Sequence, residues 1–366
     1  MSGYNIRVKS MFGTNHSWSV VMRALCLELC KAKHNLYLES VNGYSNFEET
    51  LKPFLRNKIF APDIDLAYTL PRNFSSRFMS KSKIRMAIYN YESSILPKEW
   101  VRAVDHIDYA LPSSNYSKKV FTDAGWPEEK CIVVPHGIFI DDYKDKSTLD
   151  EITKFDKFTF LNISIPHYRK NISSLVEAYY SEFKKEDGVN LVLKTSLKKP
   201  KLYFECDVQS EIQRVQKKFN INNLPQITVV VEKYPSIIPV LNSSHAIVSA
   251  SSSEGFGMPL LEGMAANKMV ISPRCTGQLD FLNENNSILY DADEVLAPNN
   301  YQYWRPHKDA TIFMPNVEAL SASMRLAYEN YDEINNLQEK HKLNTVQEFS
   351  WKNAAKKIVE VYEKNI

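Results

Sequence analysis

The sequence predicts an α/β protein made of two Rossmann-like domains, each a parallel sheet with helices on both faces. Three observations carry that prediction. At 366 residues the chain is long for one hydrophobic core and comfortable for two domains of roughly 150–200 residues each. Short apolar runs alternate with helical periodicity through both halves, which is the pattern of βαβ units with parallel strands. An acidic, lysine-rich stretch, DDYKDKSTLDEITKFD (141–156), interrupts the alternation and is the natural connector. The domains are accordingly drawn at 1–145 and 146–349. Ligands are expected in a cleft between them, at the C-terminal ends of the strands.

The elements follow in order. NIRVKSMF (5–12) is a strand, GTNHSW (13–18) a loop, SVVMRALCLELCKAK (19–33) an amphipathic helix and NLYLESV (35–41) the next strand. IDLAYTL (64–70), IRMAIYN (84–90) and DYALPSS (108–114) read as short apolar strands. SNYSKKVFTDAG (114–125) is a helix ended by Gly125, and KCIVVPHGI (130–138) reads as the last strand before the connector. The second half restarts with the strand FTFLNIS (158–164) and a helix through LVEAYYSEF (175–183). Strands at NLVLKTS (190–196) and QITVVVE (226–232) come next, then SHAIVSASS (244–252), a buried strand running into small hydroxyl residues.

Composition excludes several classes. Hydrophobic residues make up 44% and charged residues 24% of the chain, an ordinary soluble globular balance. No apolar run approaches the roughly 20 residues needed to cross a bilayer. MSGYNIRVKS lacks the apolar core of a secretory signal. A net charge of +2 excludes a strongly basic nucleic-acid binder. Cys26, Cys30, Cys131, Cys206 and Cys275 are an odd set without paired metal spacing. Cys26 and Cys30, one helical turn apart on an apolar stripe, read as core filling, and the expected compartment is a reducing cytoplasm. RNFSSRFMSKSKIR (72–85) carries five cations and no acid. It is read either as a solvated loop or as a patch for an anionic acceptor or membrane surface.

The most informative stretch is SSSEGFGMPLLEGMAA (251–266). It follows a strand, and Pro259 suits the first turn of a helix, where a missing N–H costs nothing. The order is therefore strand, glycine loop, helix start, with Glu254 on the loop and Glu262 in the first helical turn, seven residues between them. Free N–H groups at a helix start attract phosphates, and Gly255 and Gly257 let backbone approach a ligand closely. The chain has only 10 glycines, and Gly255, Gly257, Gly263 and Gly277 all fall in this region.

EGFGMPLLE is similar to the E-x7-E signature of retaining GT-B glycosyltransferases, in particular glycosyltransferase family 4. HYRKNISSLVEAY (167–179) resembles the family's R-K segment and VVPHGI (133–138) the end of its first domain. SPRCTGQLDFLNENNSILY (272–290) resembles its post-motif strand and loop. FSWKNAAKKIVEVYEKNI (349–366) resembles its closing helix, expected from about 350 to pack back onto the N-terminal domain. The resemblance implies a GT-B fold and transfer of a hexose from a UDP- or GDP-sugar, GDP-mannose included, to an acceptor hydroxyl with retention and without metal or other cofactor. Arg169 and Lys170 would contact the donor diphosphate, although Ser164 stands where the family often has a further Arg. Glu254 would touch the sugar or its phosphate, and Glu262 the ribose hydroxyls, which a carboxylate accepts in pairs. Backbone N–H groups of Phe256, Gly257, Met258, Pro259's neighbours and Leu260 would hold phosphate or sugar oxygens. Tyr234 is read as packing near the base or as a surface tyrosine. Gly13 stands where the family has a glycine loop on the donor phosphates. In the N-terminal, acceptor-holding domain, YNYESSILPKEW (89–100) resembles one branch of the family. Glu92 is the candidate for positioning the acceptor hydroxyl or stabilising positive charge on the sugar, with His16 and His136 behind it. The acceptor stays open among glycans, lipid-linked sugars and small molecules, and membrane contact would run through 72–85.

Three rivals remain. A phosphorylase or epimerase would keep the fold, but no residue marks a pyridoxal lysine. A metal-dependent transferase would use a D-x-D triplet, and Asp63-Ile-Asp65 and Asp291-Ala-Asp293 have that spacing without an adjoining phosphate loop. A non-catalytic binding protein would be expected to lack Glu254, Lys170 or the glycines, all of which are present.

Overall fold

The computed structural model describes residues 3–13, 16–41, 43, 47, 49–55, 61–78, 81–154, 156–196, 200–301 and 305–366. The chain forms two compact units. The first comprises Met1–Tyr91, Ile95–Ile138 and Phe349–Ile366, the second Glu92–Ser94 and Phe139–Glu348. The beginning of the connector therefore groups with the second unit, as does a three-residue segment from the first half.

Unit 1 holds a five-stranded sheet of β1 (Asn5–Ser10), β2 (Asn35–Ser40), β3 (Ile64–Tyr68), β4 (Ile84–Ile88) and β5 (Tyr109–Leu111), in the order β2-β1-β3-β4-β5. Every pairing is parallel. A sheet covered on both faces needs apolar runs rather than alternation, and IDLAY is buried at every position. Its one charge, Asp65, accepts two hydrogen bonds from Arg7 Nη1 on β1, at 2.8 and 3.0 Å. A buried carboxylate persists only when paired in this way. The helix Ser17–Lys31 buries Met22, Leu25, Cys26 and Leu29 and packs against the closing helix Trp351–Glu363, whose Ile358 and Tyr362 are buried.

KCIVVPHGI does not form the expected strand. Ile132 N–H donates to Ala110 O and Val134 N–H to Pro112 O, both at 2.9 Å, so the segment runs along β5. Pro112 has no N–H to return, which leaves a single bridge, Ala110–Cys131, against β5 in place of a ladder, and Ile138 bridges instead to Ser350. The basic segment is also less free than its composition suggested. Lys83 pairs with Asp63 at 2.7 Å and Arg85 with Asp108 at 3.0 Å, while Met79 and Ser80 lie outside the described residues.

Unit 2 holds a six-stranded, wholly parallel sheet of β6 (Phe158–Ile163), β7 (Val189–Lys194), β8 (Gln226–Val230), β9 (Ala246–Val248), β10 (Met269–Pro273) and β11 (Ile288–Tyr290). Read from β8 the order is β8-β7-β6-β9-β10-β11, the 3-2-1-4-5-6 order of the Rossmann fold. Its direction reverses between β6 and β9, the switch point where open α/β sheets bind ligands. Leu191, Leu193, Val248 and Ile271 pack there with Leu175 and Tyr179 of the helix Ile172–Glu182 and with Leu320 and Met324 of the helix Val317–Glu329. A hairpin of β12 (Ala292–Leu296) and β13 (Thr311–Pro315) stands apart from this sheet and is antiparallel. The alternation did not predict it. All five cysteines are free, and among the described residues no helix is long and apolar enough to cross a membrane.

Candidate functional site

Two loops meet at the switch point of unit 2. After β6 the chain reaches Arg169 and Lys170 in one 3-10 turn, Tyr168–Lys170, closed by Asn171 at φ 48°. Asn tolerates this left-handed conformation better than most residues, and its Nδ2 donates to Ala250 O at 3.1 Å. Ser252 N–H donates to Arg169 O at 2.8 Å. The loop after β9 is thereby fixed against the loop after β6.

These contacts bring four predicted residues together. Arg169 Nη1 donates to Glu254 Oε2 at 3.1 Å and to Ser253 O at 2.7 Å, and the Lys170 ammonium bonds the other Glu254 oxygen. Arg169 Nη2 reaches Glu92 Oε1 at 3.5 Å. Glu92 comes in on the segment Glu92–Ser94. Its carbonyl accepts from the Ser253 hydroxyl, and Ser94 Oγ accepts from Thr311 N–H at 2.7 Å.

Burial and charge act against each other here. Burial disfavours ionisation of Glu254, but Lys170 and Arg169 outweigh it and hold the carboxyl at about 2. Burial raises Glu92, and Glu254 adds to that while Arg169 opposes it. Lys170 is lowered, by burial first and then by Arg169, against the pull of Glu254. The result is an ionised Glu254 with two cations on it, beside a carboxyl that is harder to ionise.

Although adjacent in sequence, the two cations face different spaces. Lys170, Glu254 and Ser251 line a small cavity with Asn162, Gly257 and Pro259. Arg169 borders a larger cavity instead, together with Asn171 and Ser252. The small cavity ends on the helix Met258–Ala265. Its N-cap, Gly257, has φ 92°, Pro259 sits in the first turn, and neither a capping side chain nor an acid occupies that end. Pro259 has no N–H and Leu260 N–H is taken by Gly257 O at 2.9 Å. Leu260 is therefore not the free donor the sequence implied, and Met258 N–H is the first-turn donor within reach of a ligand or water.

The glycine loop is clamped from behind. Glu254 N–H donates to Thr276 Oγ1 at 3.0 Å, and Gly277 N–H donates to Glu254 O at 3.0 Å. A Cβ on Gly277 would lie 2.3 Å from Gly255 O, so only glycine fits. Thr276 holds φ 56°, a conformation that costs a β-branched residue about 1–3 kcal/mol. Phe256 packs against Phe281, with ring centroids 5.1 Å apart. Leu260 N–H donates to Gly257 O at 2.9 Å.

Glu262 falls not in the first turn but one turn on, as the fifth residue of the helix Met258–Ala265, because the helix starts only after the left-handed Gly257. It is only partly exposed. Burial alone pushes its carboxyl up to about 7. Tyr143 is its neighbour, and among the described residues no cation or hydrogen-bond donor pairs with it. Tyr234 lies past β8, its hydroxyl on Glu151 and its ring 5.8 Å from Lys194 Nζ.

In unit 1, Gly13 follows β1, and Thr14 and Asn15 lie outside the described residues. His16 accepts Trp18 N–H at 3.3 Å and caps the helix Ser17–Lys31. His136 is buried against the rings of Tyr68 and Trp351, and burial pushes it down to about 3. Asp63, just before β3, accepts from Asn5 N–H at 2.8 Å, and Asp65, near the start of β3, is taken by Arg7. Asp291 is exposed beside Arg274, 3.7 Å away. Among the described residues no group of three or more His, Cys, Asp or Glu gathers as a metal site. Sequence reasoning missed Asn171 and Thr276. Asn171 had a signal in its tolerance of left-handed backbone after two cations, whereas Thr276 had none.

Residues 157–300 match the sequence model of the family described as Glycosyl transferases group 1. No curated protein matches the chain by sequence. Among solved structures, a glycosyltransferase from Rickettsia africae superposes with a TM-score of 0.73 at 17% identity, over 100% of this chain and 99% of that one. HepE from Anabaena, solved with UDP and glucose, gives 0.73 at 15% identity over 99% and 100%. Sucrose-phosphate synthase from Thermosynechococcus elongatus gives 0.70 at 13% identity over 99% and 98%. Likeness at these identities speaks for the fold: the chain has the GT-B fold, and its residues 157–300 carry the group 1 glycosyl transferase pattern.

Proposed function

We propose that the protein is a retaining, metal-independent glycosyltransferase that moves a hexose from a nucleotide diphosphate sugar to an acceptor hydroxyl on a glycan or lipid-linked sugar. The observation that carries this reading is the set Lys170, Glu254 and Gly257 around one small cavity at the Rossmann switch point, with Glu262 on the helix at which that cavity ends. A sugar nucleotide needs two things there: a place for phosphate charge that grows as the glycosidic bond breaks, and acceptors for ribose hydroxyls. Preorganised cations and N–H groups supply the first. In this reading Lys170 and the N–H groups from Phe256 to Met258 take the diphosphate, Glu262 takes the ribose and Glu254 the sugar end. Arg169 holds Glu254 and Glu92 in register. Glu92 positions the acceptor hydroxyl or faces positive charge on the sugar, and the departing phosphate takes the acceptor proton on the same face, so no dedicated nucleophile is needed.

The HepE structures hold UDP, UDP with glucose, and UDP-glucose, which makes UDP-sugars the first donors to test, with GDP-mannose next. The test is a thermal-shift screen against UDP, GDP, ADP and their sugars. A rise of several degrees with one nucleotide, lost in Glu262→Ala, is the expected result. Failure of every nucleotide to shift the melt would overturn the donor assignment.

A further inference from the structure

Unit 2 contains a second cavity, of about 410 Å³, that the donor chemistry does not use. We infer that it is a subsite for a neutral saccharide, holding a sugar unit of the acceptor glycan on the same unit as the donor site. This rests on the glycosyltransferase reading above and adds to it the class of acceptor.

The cavity lies back to back with the donor cavity. Along the loop after β6, Lys170 lines the donor side while Arg169 and Asn171 line the other. Along the loop after β9, Ser251 lines the donor side and Ser252 the other. The same two loops thus line both spaces, and Arg169, which bonds Glu254 and Glu92, borders the second.

Its outer wall is the hairpin β12–β13, which the Rossmann sheet does not need. The hairpin is fastened to the cluster, with Phe313 N–H donating to Ser252 O at 3.0 Å and Thr311 N–H to Ser94 Oγ at 2.7 Å. Ile312 and Met314 thereby face the cavity along with Pro298, Asn300 and Tyr301.

The lining defines the ligand. Both arginines of the lining are ion-paired: Arg214 with Glu211 at 2.7 Å, and Arg169 with Glu254 at 3.1 Å and Glu92 at 3.5 Å. Among the described residues of the lining, a phosphate or carboxylate would have to displace a carboxylate to reach either arginine, which favours a neutral occupant. Ile172, Ile312 and Met314 supply apolar surface, and the ring of Tyr168, 40% exposed, stands at the rim. The Asn300 amide and the Ser174 hydroxyl make no side-chain hydrogen bond among the described residues, and both line the space. Apolar surface and an aromatic ring beside amide and hydroxyl groups suit a pyranose, which has a C–H face and a rim of hydroxyls. The volume falls within the usual range of roughly 300–1,000 Å³ for small-molecule sites.

The test is saturation-transfer NMR on the intact protein with a panel of neutral gluco-, manno- and galacto-trisaccharides, α- and β-linked, in the absence and presence of saturating UDP. At least one trisaccharide should bind, keep binding with UDP present, and weaken at least tenfold in both Asn300→Ala and the cavity-filling Ser174→Trp. Both variants should keep the wild-type thermal shift with the donor nucleotide, which separates a failure here from a failure of the donor assignment. The inference is overturned if no trisaccharide binds, if UDP displaces the one that does, or if binding survives both substitutions.

Discussion

Replacing Glu262 by Gln tests the donor site through the cost of a buried charge. In the ligand-free protein the Glu262 carboxyl is held at about 7 by burial, against 4.5 for an ordinary glutamate. The native state therefore binds more protons than the unfolded chain between about pH 4.5 and 7, so its stability falls as pH rises through that window and levels off above it. The step from 4.5 to about 7 corresponds to at most about 3 kcal/mol. Gln resembles the protonated acid and avoids that cost at any pH. At pH 5 the two proteins should melt together, and at pH 8 the variant should melt higher, by roughly 5–10 °C for a unit of this size. Binding should move the other way. Ribose hydroxyls donating to the carboxylate favour its ionised form, so wild-type affinity for UDP-glucose, whose diphosphate does not titrate in this range, should drop about tenfold per pH unit below 7. The Gln variant should bind weakly and without pH dependence. Scanning calorimetry and titration calorimetry at pH 5, 6, 7 and 8 read both effects. A variant that differs from wild type equally at pH 5 and pH 8 would refute the buried-charge reasoning.

Lys170→Ala removes the cation that faces the donor cavity while Arg169 still pairs with Glu254. It should stay folded by circular dichroism and lose about 10²–10³ in kcat/KM for the donor, and wild-type turnover would sink the diphosphate role. Arg169→Met should lower kcat more than it raises the donor KM. Glu92 loses a cation that opposes the rise caused by burial, so the acidic limb of the pH–rate profile should move to higher pH, and an unmoved limb would argue against Glu92 acting through Arg169. Gly277→Ala puts a Cβ 2.3 Å from Gly255 O. It should destabilise unit 2 by about 1–3 kcal/mol in denaturant melts and abolish the nucleotide thermal shift. Tyr234→Ala should raise the donor KM severalfold if the ring meets the base, and an unchanged KM would leave Tyr234 as a surface residue on Glu151.

The parallel sheets and the strand–glycine loop–helix motif were legible in the sequence because they rest on local, periodic signals. IDLAY and FTFLNI can only be strands covered on both faces, and Pro259 behind two glycines can only start a helix. KCIVVPHGI misled because its apolar content is that of a strand, whereas strand formation also needs a partner able to return hydrogen bonds, and Pro112 cannot. The hairpin Ala292–Leu296/Thr311–Pro315 was invisible for a different reason. Four of the five residues of its first strand are exposed, so no hydrophobic period marks them. Thr276 escaped because a left-handed threonine contradicts its own propensity. The bonds of its hydroxyl, a tertiary one from Glu254 N–H at 3.0 Å and a local one to Gln278 Oε1 at 3.1 Å, offset the cost of that conformation.

The separation of Arg169 from Lys170 has the same kind of origin. Reading the pair as one diphosphate clamp treats adjacent cations as equivalent, but they lie in a 3-10 turn, where consecutive side chains project about 120° apart. One of them must turn away from whatever the other faces. The left-handed Asn171 ends the turn and, through Ala250 O, sets which one does. Lys170, a compact point charge, is left on the donor side. Arg169, whose planar fork can reach several acceptors at once, is left to join Glu254, Ser253 O and Glu92. The missing cation at Ser164 sharpens the consequence. With Arg169 committed to carboxylates, the donor cavity relies on one ammonium and the helix start. Under the proposed function, charge developing on the leaving diphosphate is then shared between Lys170 and the backbone at that helix start, and the Thr276–Gly277 clamp fixes the Glu254 end of the loop that leads to it.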